Sequence, residues 1–271
     1  MLYLVATPIG NMEDITLRAL RVLREADVIF CEDTRHSGLL LSHFEIKKPL
    51  FSCHEHNEAQ RAAEIAERLR AGENIAYISD AGMPCISDTG ARLSEMCVRE
   101  GLPFTVVPGA SASVTALALS GLATDKFLFY GFLPRSGKDR ADALTKVCDC
   151  PYSAVIYESP NRVYATLCDL RNRAGEDRRA ALVREITKIY EECVNLPLSE
   201  LCERYRDAAP KGECVIVLDG KSPDAVTEND IDAMIEKLLA DGLSAKDAAK
   251  QIAQETGAGR NDVYKRIIGQ K

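Results

Sequence analysis

Ser79-Asp80-Ala81-Gly82-Met83-Pro84-Cys85-Ile86-Ser87-Asp88-Thr89-Gly90 joins a short apolar run, Asn74-Ile75-Ala76-Tyr77-Ile78, to a stretch with helical spacing, Ala91 to Glu100. The run has the length and composition of a buried strand. In the stretch that follows, Leu93, Met96 and Cys97 fall on one face, and Gly101 is the stop. Between the two stand small residues, one proline and two carboxylates. Little side chain separates that backbone from a ligand, so its N–H and C=O groups are open to close approach. Taken alone, the segment reads equally well as a plain strand-to-helix turn.

Outward from this loop the same pattern recurs. Leu2-Tyr3-Leu4-Val5-Ala6 reads as a buried strand left by the turn Thr7-Pro8-Ile9-Gly10-Asn11. A helix with Leu17, Leu20, Val22 and Leu23 on its apolar stripe follows, then the strand Asp27 to Cys31, ending in Glu32-Asp33-Thr34-Arg35. Asn57 to Ala71 reads as a helix, with Asn57 as N-cap and Gly72 as stop. Pro103 to Val107 is a strand, followed by Pro108-Gly109-Ala110-Ser111-Ala112-Ser113 and a helix to Ser120. Strands and helices alternate, and polar, glycine-rich turns fall at the carboxyl ends of strands. That order predicts a parallel α/β sheet with its ligand at that edge.

The alternation pauses at Gly121 to Asp125, where a domain boundary is expected. Beyond it, Phe127 to Phe132 reads as a strand, Leu133 to Arg140 as a polar, basic loop, and Ala154 to Tyr157 as a strand ending in Glu158-Ser159-Pro160. A helix to about Arg173 follows, then two strands, Ala180 to Ile186 and Ile189 to Asn195, around Thr187-Lys188, and a last strand, Cys214 to Leu218. Fewer crossover helices here imply a mixed sheet. Gly220 to Glu228 reads as a polar linker, and Asn229 to Ala240, Ala245 to Glu255 and Asp262 to Ile268 as short helices. Ser244 with Asp247 is a capping pair, and Gly257 and Gly259 part the last two helices, a pattern compatible with a helix-turn-helix module. The expected fold class is therefore α/β, with two α/β domains (1–121 and 122–221) and a helical module (222–271).

Net charge is −7, which argues against a surface coated in basic patches. The segment Leu243 to Lys271 nevertheless carries six basic and three acidic residues, a net +3 that leaves −10 for the rest. This asymmetry hints at a polyanionic partner. No run is long enough to span a membrane, and Met1 leads straight into a strand and turn, so neither a signal peptide nor membrane attachment is expected. Ten scattered cysteines without a Cys-x-x-Cys pair read as reduced core thiols of a cytoplasmic protein.

Standard sites are absent. Gly131 to Lys138 imitates a phosphate loop, but it has one residue too many between its glycines and no Ser or Thr after Lys138. Gly109-Ala110-Ser111-Ala112-Ser113 begins like a nucleophile elbow and ends in Ser rather than Gly, and no Gly-x-Gly-x-x-Gly occurs. Cys53, His54 and His56 read as a polar strand end, and no metal is expected. What remains is a site shared by several loops: Pro8, the Asp80 to Asp88 stretch, and Ser111-Ala112.

Those loops carry a resemblance. Thr7 to Asn11, Cys31 to Arg35, Ser79 to Gly90, Val107 to Ser111, Tyr157 to Pro160, Arg184 to Lys188 and Lys211-Gly212-Glu213 stand in the order of motifs found in the tetrapyrrole methylase superfamily. The likeness spans essentially the whole chain, and seven ordered motifs are more specific than any one loop. It implies two α/β domains of the class III methyltransferase type, with S-adenosylmethionine in the cleft between them, in a homodimer. In the branch that these motifs match, the implied reaction is 2′-O-methylation of a cytidine ribose in the decoding region of 16S rRNA, within the small ribosomal subunit. Carried over by motif, Pro8, Asp80, Ala81, Gly82, Met83, Ile86, Ser111, Ala112, Tyr157 and Gly212 would bind the cofactor. Met83 stands where related sequences often have Thr, and Thr89 where they often have Pro, which touches local loop shape.

Methyl transfer to a ribose hydroxyl is served by a base. Asp33, Glu158 and Glu185, each near a predicted strand end, are candidates, with Arg35 and Arg162 set to steer a neighbouring phosphate. The same residues also read as mutual ion pairs. Two other functions stay open: a methylase of a tetrapyrrole precursor, and a non-catalytic protein that binds S-adenosylmethionine or RNA. The basic C-terminal helices favour the RNA enzyme over the first, because a small substrate needs no basic appendage.

Overall fold

The computed structural model describes residues 1–222, 228–256 and 258–269, which form two compact units, Met1–Lys221 and Ser222–Lys271. The expected linker at 220–228 falls largely on residues 223–227, and Gly257 and Lys271 likewise lie outside the described residues.

In the larger unit, β1 (Leu2–Val5), β2 (Val28–Cys31), β3 (Leu50–Ser52), β4 (Ile75–Ile78) and β5 (Phe104–Val107) build a wholly parallel sheet in the order β3-β2-β4-β1-β5. Successive strand side chains point to opposite faces, and both faces are covered, so the strands are apolar throughout. Leu2, Leu4, Phe30 and Tyr77 pack under α3 (Glu58–Arg70) and α4 (Ala91–Glu100). Val5, Ile29, Ala76 and Ile78 pack under α1 (Leu17–Glu25) and α2 (Thr34–His43). The register aligns Val5 and Cys31 with Ile78, and Val5 with Val107. All four strands thus end at one level, and the loops starting at Ala6, Glu32, Ser79 and Pro108 open side by side.

A second sheet, ordered β6-β7-β10-β8-β9, comprises β6 (Phe127–Phe132), β7 (Ser153–Glu158), β8 (Arg179–Arg184), β9 (Glu192–Pro197) and β10 (Cys214–Leu218). Only β6 and β7 run parallel; the other pairs are antiparallel, as a chain with few crossovers requires. One face is filled by α6 (Gly137–Cys148), α7 (Pro160–Ala174) and α8 (Leu198–Arg204). The other receives α5 (Ala112–Ser120), whose Ala116 and Leu117 meet Val155, Ala181, Val183 and Val217. The helix after the last strand of the first sheet therefore covers the second sheet and ties the two lobes together. Ile9 and Ile186 join the same cluster.

Two local expectations are corrected. Asn57 begins α3 but makes no side-chain cap: its Oδ1 accepts from the His54 N–H at 2.8 Å and its Nδ2 donates to the Ser52 carbonyl at 3.3 Å, so it folds back on the preceding loop. The hairpin expected around Thr187-Lys188 has a seven-residue connection, because β8 stops at Arg184 and β9 starts at Glu192.

The smaller unit holds α9 (Glu228–Ala240), α10 (Ala245–Thr256) and α11 (Arg260–Gly269) around Ile235, Ala248, Ala249, Ile252, Val263 and Ile267. Ser244 and Asp247 make the expected capping pair: the Asp247 N–H donates to Ser244 Oγ at 3.2 Å, and that hydroxyl donates to Asp247 Oδ2 at 2.5 Å. Among the described residues, no helix is long and apolar enough to cross a membrane.

Candidate active site

A cavity of about 640 Å³ lies where the strand ends of the first sheet face β7, β8 and β10. Its first wall is the Ser79–Gly90 loop. Gly82, at φ +79°, makes a two-way bridge with Thr7: the Thr7 N–H donates to the Gly82 carbonyl at 2.9 Å and the Gly82 N–H to the Thr7 carbonyl at 3.1 Å. Thr7 Oγ1 adds a bond to the Ser79 carbonyl at 3.3 Å. At the far end the Gly90 N–H donates to buried Glu58 Oε1 at 3.1 Å, and Thr89 Oγ1 is bonded to the hydroxyl of fully buried Tyr77. The loop is thus pinned at both ends while Ala81, Met83 and Ile86 line the cavity.

The facing wall comes from the β8–β9 connection. Lys188 Nζ bonds Glu185 Oε1 at 3.0 Å and Glu213 Oε2 at 2.9 Å, and Glu185 Oε1 also accepts the Glu213 N–H at 3.2 Å. The lobes meet tightly here: a Cβ on Gly10 would stand 2.7 Å from Lys188 Cγ. Among the described residues, five non-glycine residues have positive φ, and four of them, Cys85, Ser87, Glu185 and Thr187, belong to these two opposed walls. Such backbone costs of order 1–3 kcal/mol per residue and collects where a site needs it.

Of the residues expected to bind a cofactor, Ala81, Gly82, Met83, Ile86, Ser111, Ala112, Tyr157 and Gly212 all line this cavity. Pro8 and Asp80 are not in the lining. Pro8 is buried between Thr7 and the lining residue Ile9, and Asp80 Oδ1 accepts the Asp33 N–H at 3.2 Å, fastening the end of β2 to that of β4. Tyr157 contacts Ser113 through its hydroxyl, and burial raises its pKa.

The candidate catalytic residues separate. Asp33 caps α2 and pairs with Arg35 at 2.6 Å, with Arg35 89% exposed; neither lines the cavity. The Arg35 guanidinium holds the Asp33 carboxyl well below the usual carboxylate range. Glu158 belongs to the lining, yet its carboxylate is spent on the Ser159 N–H at 2.9 Å, Thr166 Oγ1 at 2.7 Å and Arg162 at 3.3 Å. Glu185 lines the wall and is held ionised, its pKa lowered first by the Lys188 hydrogen bond.

Two further carboxyls meet here: Asp88 closes the Asp80 to Asp88 stretch expected at the site, while Glu32 reads in the sequence only as part of a polar strand end. Asp88 lines the cavity, and Glu32, at the end of β2, is hydrogen-bonded to it. Burial and the hydrogen bond to Asp88 push Glu32 up to about 7, with Asp80 and Asp33 adding repulsion. Both lie inside motifs quoted above, but which carboxyl shares a proton with which is a matter of distance across the sheet edge. The consequence is measurable. Between pH 4.5, the ordinary value, and about 7 the native state holds a proton that the unfolded chain has released, so stability from this site falls as pH rises through that window. Glu32→Gln is expected to raise stability at pH 8 by about 1 kcal/mol after allowance for solvent, with the gain shrinking towards pH 5. Urea unfolding at the two pH values checks it; equal effects at both would refute the assignment.

The family described as Tetrapyrrole (Corrin/Porphyrin) Methylases matches residues 1–202, and the RsmI C-terminal HTH domain matches residues 225–271. The chain is 43% identical over 268 residues to ribosomal RNA small subunit methyltransferase I of Pasteurella multocida, covering 97% of this chain and 95% of that protein. It is 40% identical to the protein of the same name from Synechocystis, over 97% and 96% of the two chains. Among solved structures, diphthine synthase superposes with a TM-score of 0.65 at 16% identity, covering 83% of this chain and 92% of that one. The uroporphyrin-III C-methyl transferase of Thermus thermophilus, solved with S-adenyl homocysteine, gives 0.57 at 22% identity over 80% and 96%. At these identities the two structures speak for the fold alone. The chain belongs to the tetrapyrrole methylase family and, within it, to that of ribosomal RNA small subunit methyltransferase I.

Proposed function

We propose that this protein transfers the methyl group of S-adenosylmethionine to the ribose 2′-hydroxyl of a cytidine in the decoding region of 16S rRNA, acting in the cytoplasm as a homodimer. The observation that carries this reading is the convergence of both lobes on one cavity, whose two walls are anchored by the Thr7–Gly82 bridge and by the Lys188 pairs to Glu185 and Glu213. The cavity fits the donor. Its volume of about 640 Å³ lies within the usual range for small-ligand sites, its walls are mainly apolar, and the carboxylate of Asp88 suits a cationic centre.

When bound, S-adenosylmethionine supplies a methyl group on a sulfonium. Ala81, Gly82, Met83 and Ile86 hold it from the first lobe, Ser111 and Ala112 from the start of α5, and Tyr157 and Gly212 from the second sheet. Pro8 and Asp80 support them from behind. Of the three candidate bases, Asp33 stands away from the cavity and Glu158 is committed to Ser159, Thr166 and Arg162, which leaves Glu185 to accept the proton that the ribose hydroxyl loses. Holding the reactants in register supplies roughly 7–11 kcal/mol, and a base a further 10²- to 10⁴-fold or so. The division into lobes 1–121 and 122–221 with a module 222–271 assigns the chemistry to the first two and RNA docking to the third.

Incubation with labelled S-adenosylmethionine and either small ribosomal subunits, naked 16S rRNA or uroporphyrinogen tests the reading. Label is expected in the rRNA and not in the porphyrinogen; label in neither would leave a binding protein. Removal of residues 223–271 is expected to weaken rRNA binding and to flatten its dependence on salt, since the basic residues of 243–271 are taken away. An unchanged slope of log affinity against log salt would remove RNA docking from that module.

A further inference from the structure

The edge strand β6 carries a bulge. Phe129 pairs with Val155, and the next pair is Gly131 with Ile156, so Tyr130 is the extra residue. Without it, Phe129 and Phe132 would point to opposite faces; with it, Phe132 stands opposite Tyr157, on the face that Phe129 shares. The three rings form an edge-to-face series, Phe129 to Tyr157 at 5.1 Å and Phe132 to Tyr157 at 5.6 Å between centroids. Gly131, at φ +77°, lets the bulge abut the other lobe, since a Cβ there would stand 2.7 Å from Ser87 Oγ. The bulge thus brings Phe132 to the cavity wall, where the residue is still 55% exposed.

Three residues further on, the chain presents cations. Arg135 and Lys138 are exposed, and neither makes an ion pair among the described residues. Their neighbours differ: Arg140 is committed to Asp169 and the Pro134 carbonyl, and Arg162 to Glu158 and the Leu133 carbonyl. A half-exposed aromatic ring beside two uncommitted cations is the chemistry that receives an unpaired nucleotide: a face for the base and charge for its phosphates.

We propose that Phe132, braced by Tyr157, is the platform on which a base of the RNA substrate stacks as its ribose enters the cavity, and that Arg135 and Lys138 receive the flanking phosphates. This rests on the RNA-methylating reading above and names where that substrate sits. The chain has no tryptophan, so Phe132→Trp introduces a single indole, excited apart from the nine tyrosines, at the platform. Its emission is expected to be quenched by 16S rRNA and to be unmoved by S-adenosylhomocysteine alone. Phe132→Leu, which keeps apolar bulk but no π-face, is expected to weaken rRNA binding by about 5- to 100-fold with the cofactor dissociation constant within twofold. Arg135→Ala with Lys138→Ala should lower the salt slope by about 0.7 per lost phosphate contact. Quenching by S-adenosylhomocysteine would make the ring a platform for the donor's adenine, and wild-type affinity in Phe132→Leu would show it idle; either overturns the proposal. Wild-type protein that transfers no methyl to rRNA overturns the functional reading beneath it, a separate result.

Discussion

Glu185→Gln is expected to lower kcat for rRNA methylation by about 10²- to 10⁴-fold while leaving the dissociation constant of S-adenosylmethionine within a few-fold. The replacement keeps the shape of the side chain, its acceptance of the Glu213 N–H and a hydrogen-bond acceptor for Lys188, which also retains Glu213. What it removes is the capacity to take a proton. The folded pKa of Glu185 lies below the ordinary carboxylate value, held there first by Lys188, so this carboxylate stays ionised into acid solution. The acid limb of the wild-type kcat profile should therefore fall below the usual carboxylate range, and in Glu185→Gln that limb should vanish. Single-turnover rates across pH, with cofactor affinity by equilibrium dialysis, decide it. A loss of affinity as large as the loss of rate would make Glu185 a cofactor ligand instead.

The second large effect is expected at Gly82. Its φ of +79° lies where a β-branched residue is strained, and a Cβ would come 3.1 Å from Ile9 Cγ2 and 3.5 Å from the Ala110 carbonyl. Gly82→Val must therefore either move the loop off Ile9 or break the bridge to Thr7. Strain alone costs about 1–3 kcal/mol, and a wall displaced by about 1 Å misplaces the reacting groups by enough to cost about 10²-fold in rate. Gly82→Ala should show the same pattern at smaller size. Calorimetry of both variants with kcat/KM measurements checks the series; Gly82→Val with wild-type kcat/KM would show that the loop is no part of the site.

The course of the first sheet was legible because parallel strands buried on both faces leave unbroken apolar runs, as in Ile75 to Ile78, and because glycine marks helix ends, as at Gly101. The loops that line the cavity were legible as one multi-loop site because similar polar, small-residue turns follow several strands, although the Ser79–Gly90 loop alone reads equally well as a plain turn. The carboxylates were not separable by sequence, since Asp33, Glu158 and Glu185 look alike until their partners are known. Arg35 occupies the first, Thr166 and Arg162 the second, and the third faces the cavity beside Lys188. Short elements such as β3 and α8 carry too few residues for a period to show. Phe132 is hidden for another reason: its direction is set by a bulge, and bulges depend on pairing with a distant strand.

The central claim is that loops from both lobes jointly hold the methyl donor, and a crystal structure of the full chain soaked with S-adenosylhomocysteine tests it most directly. The account predicts the ligand enclosed between Ala81–Ile86, Ser111–Ala112 and the Tyr157–Gly212 wall, in contact with both lobes. A ligand bound elsewhere, or touching one lobe alone, would contradict it.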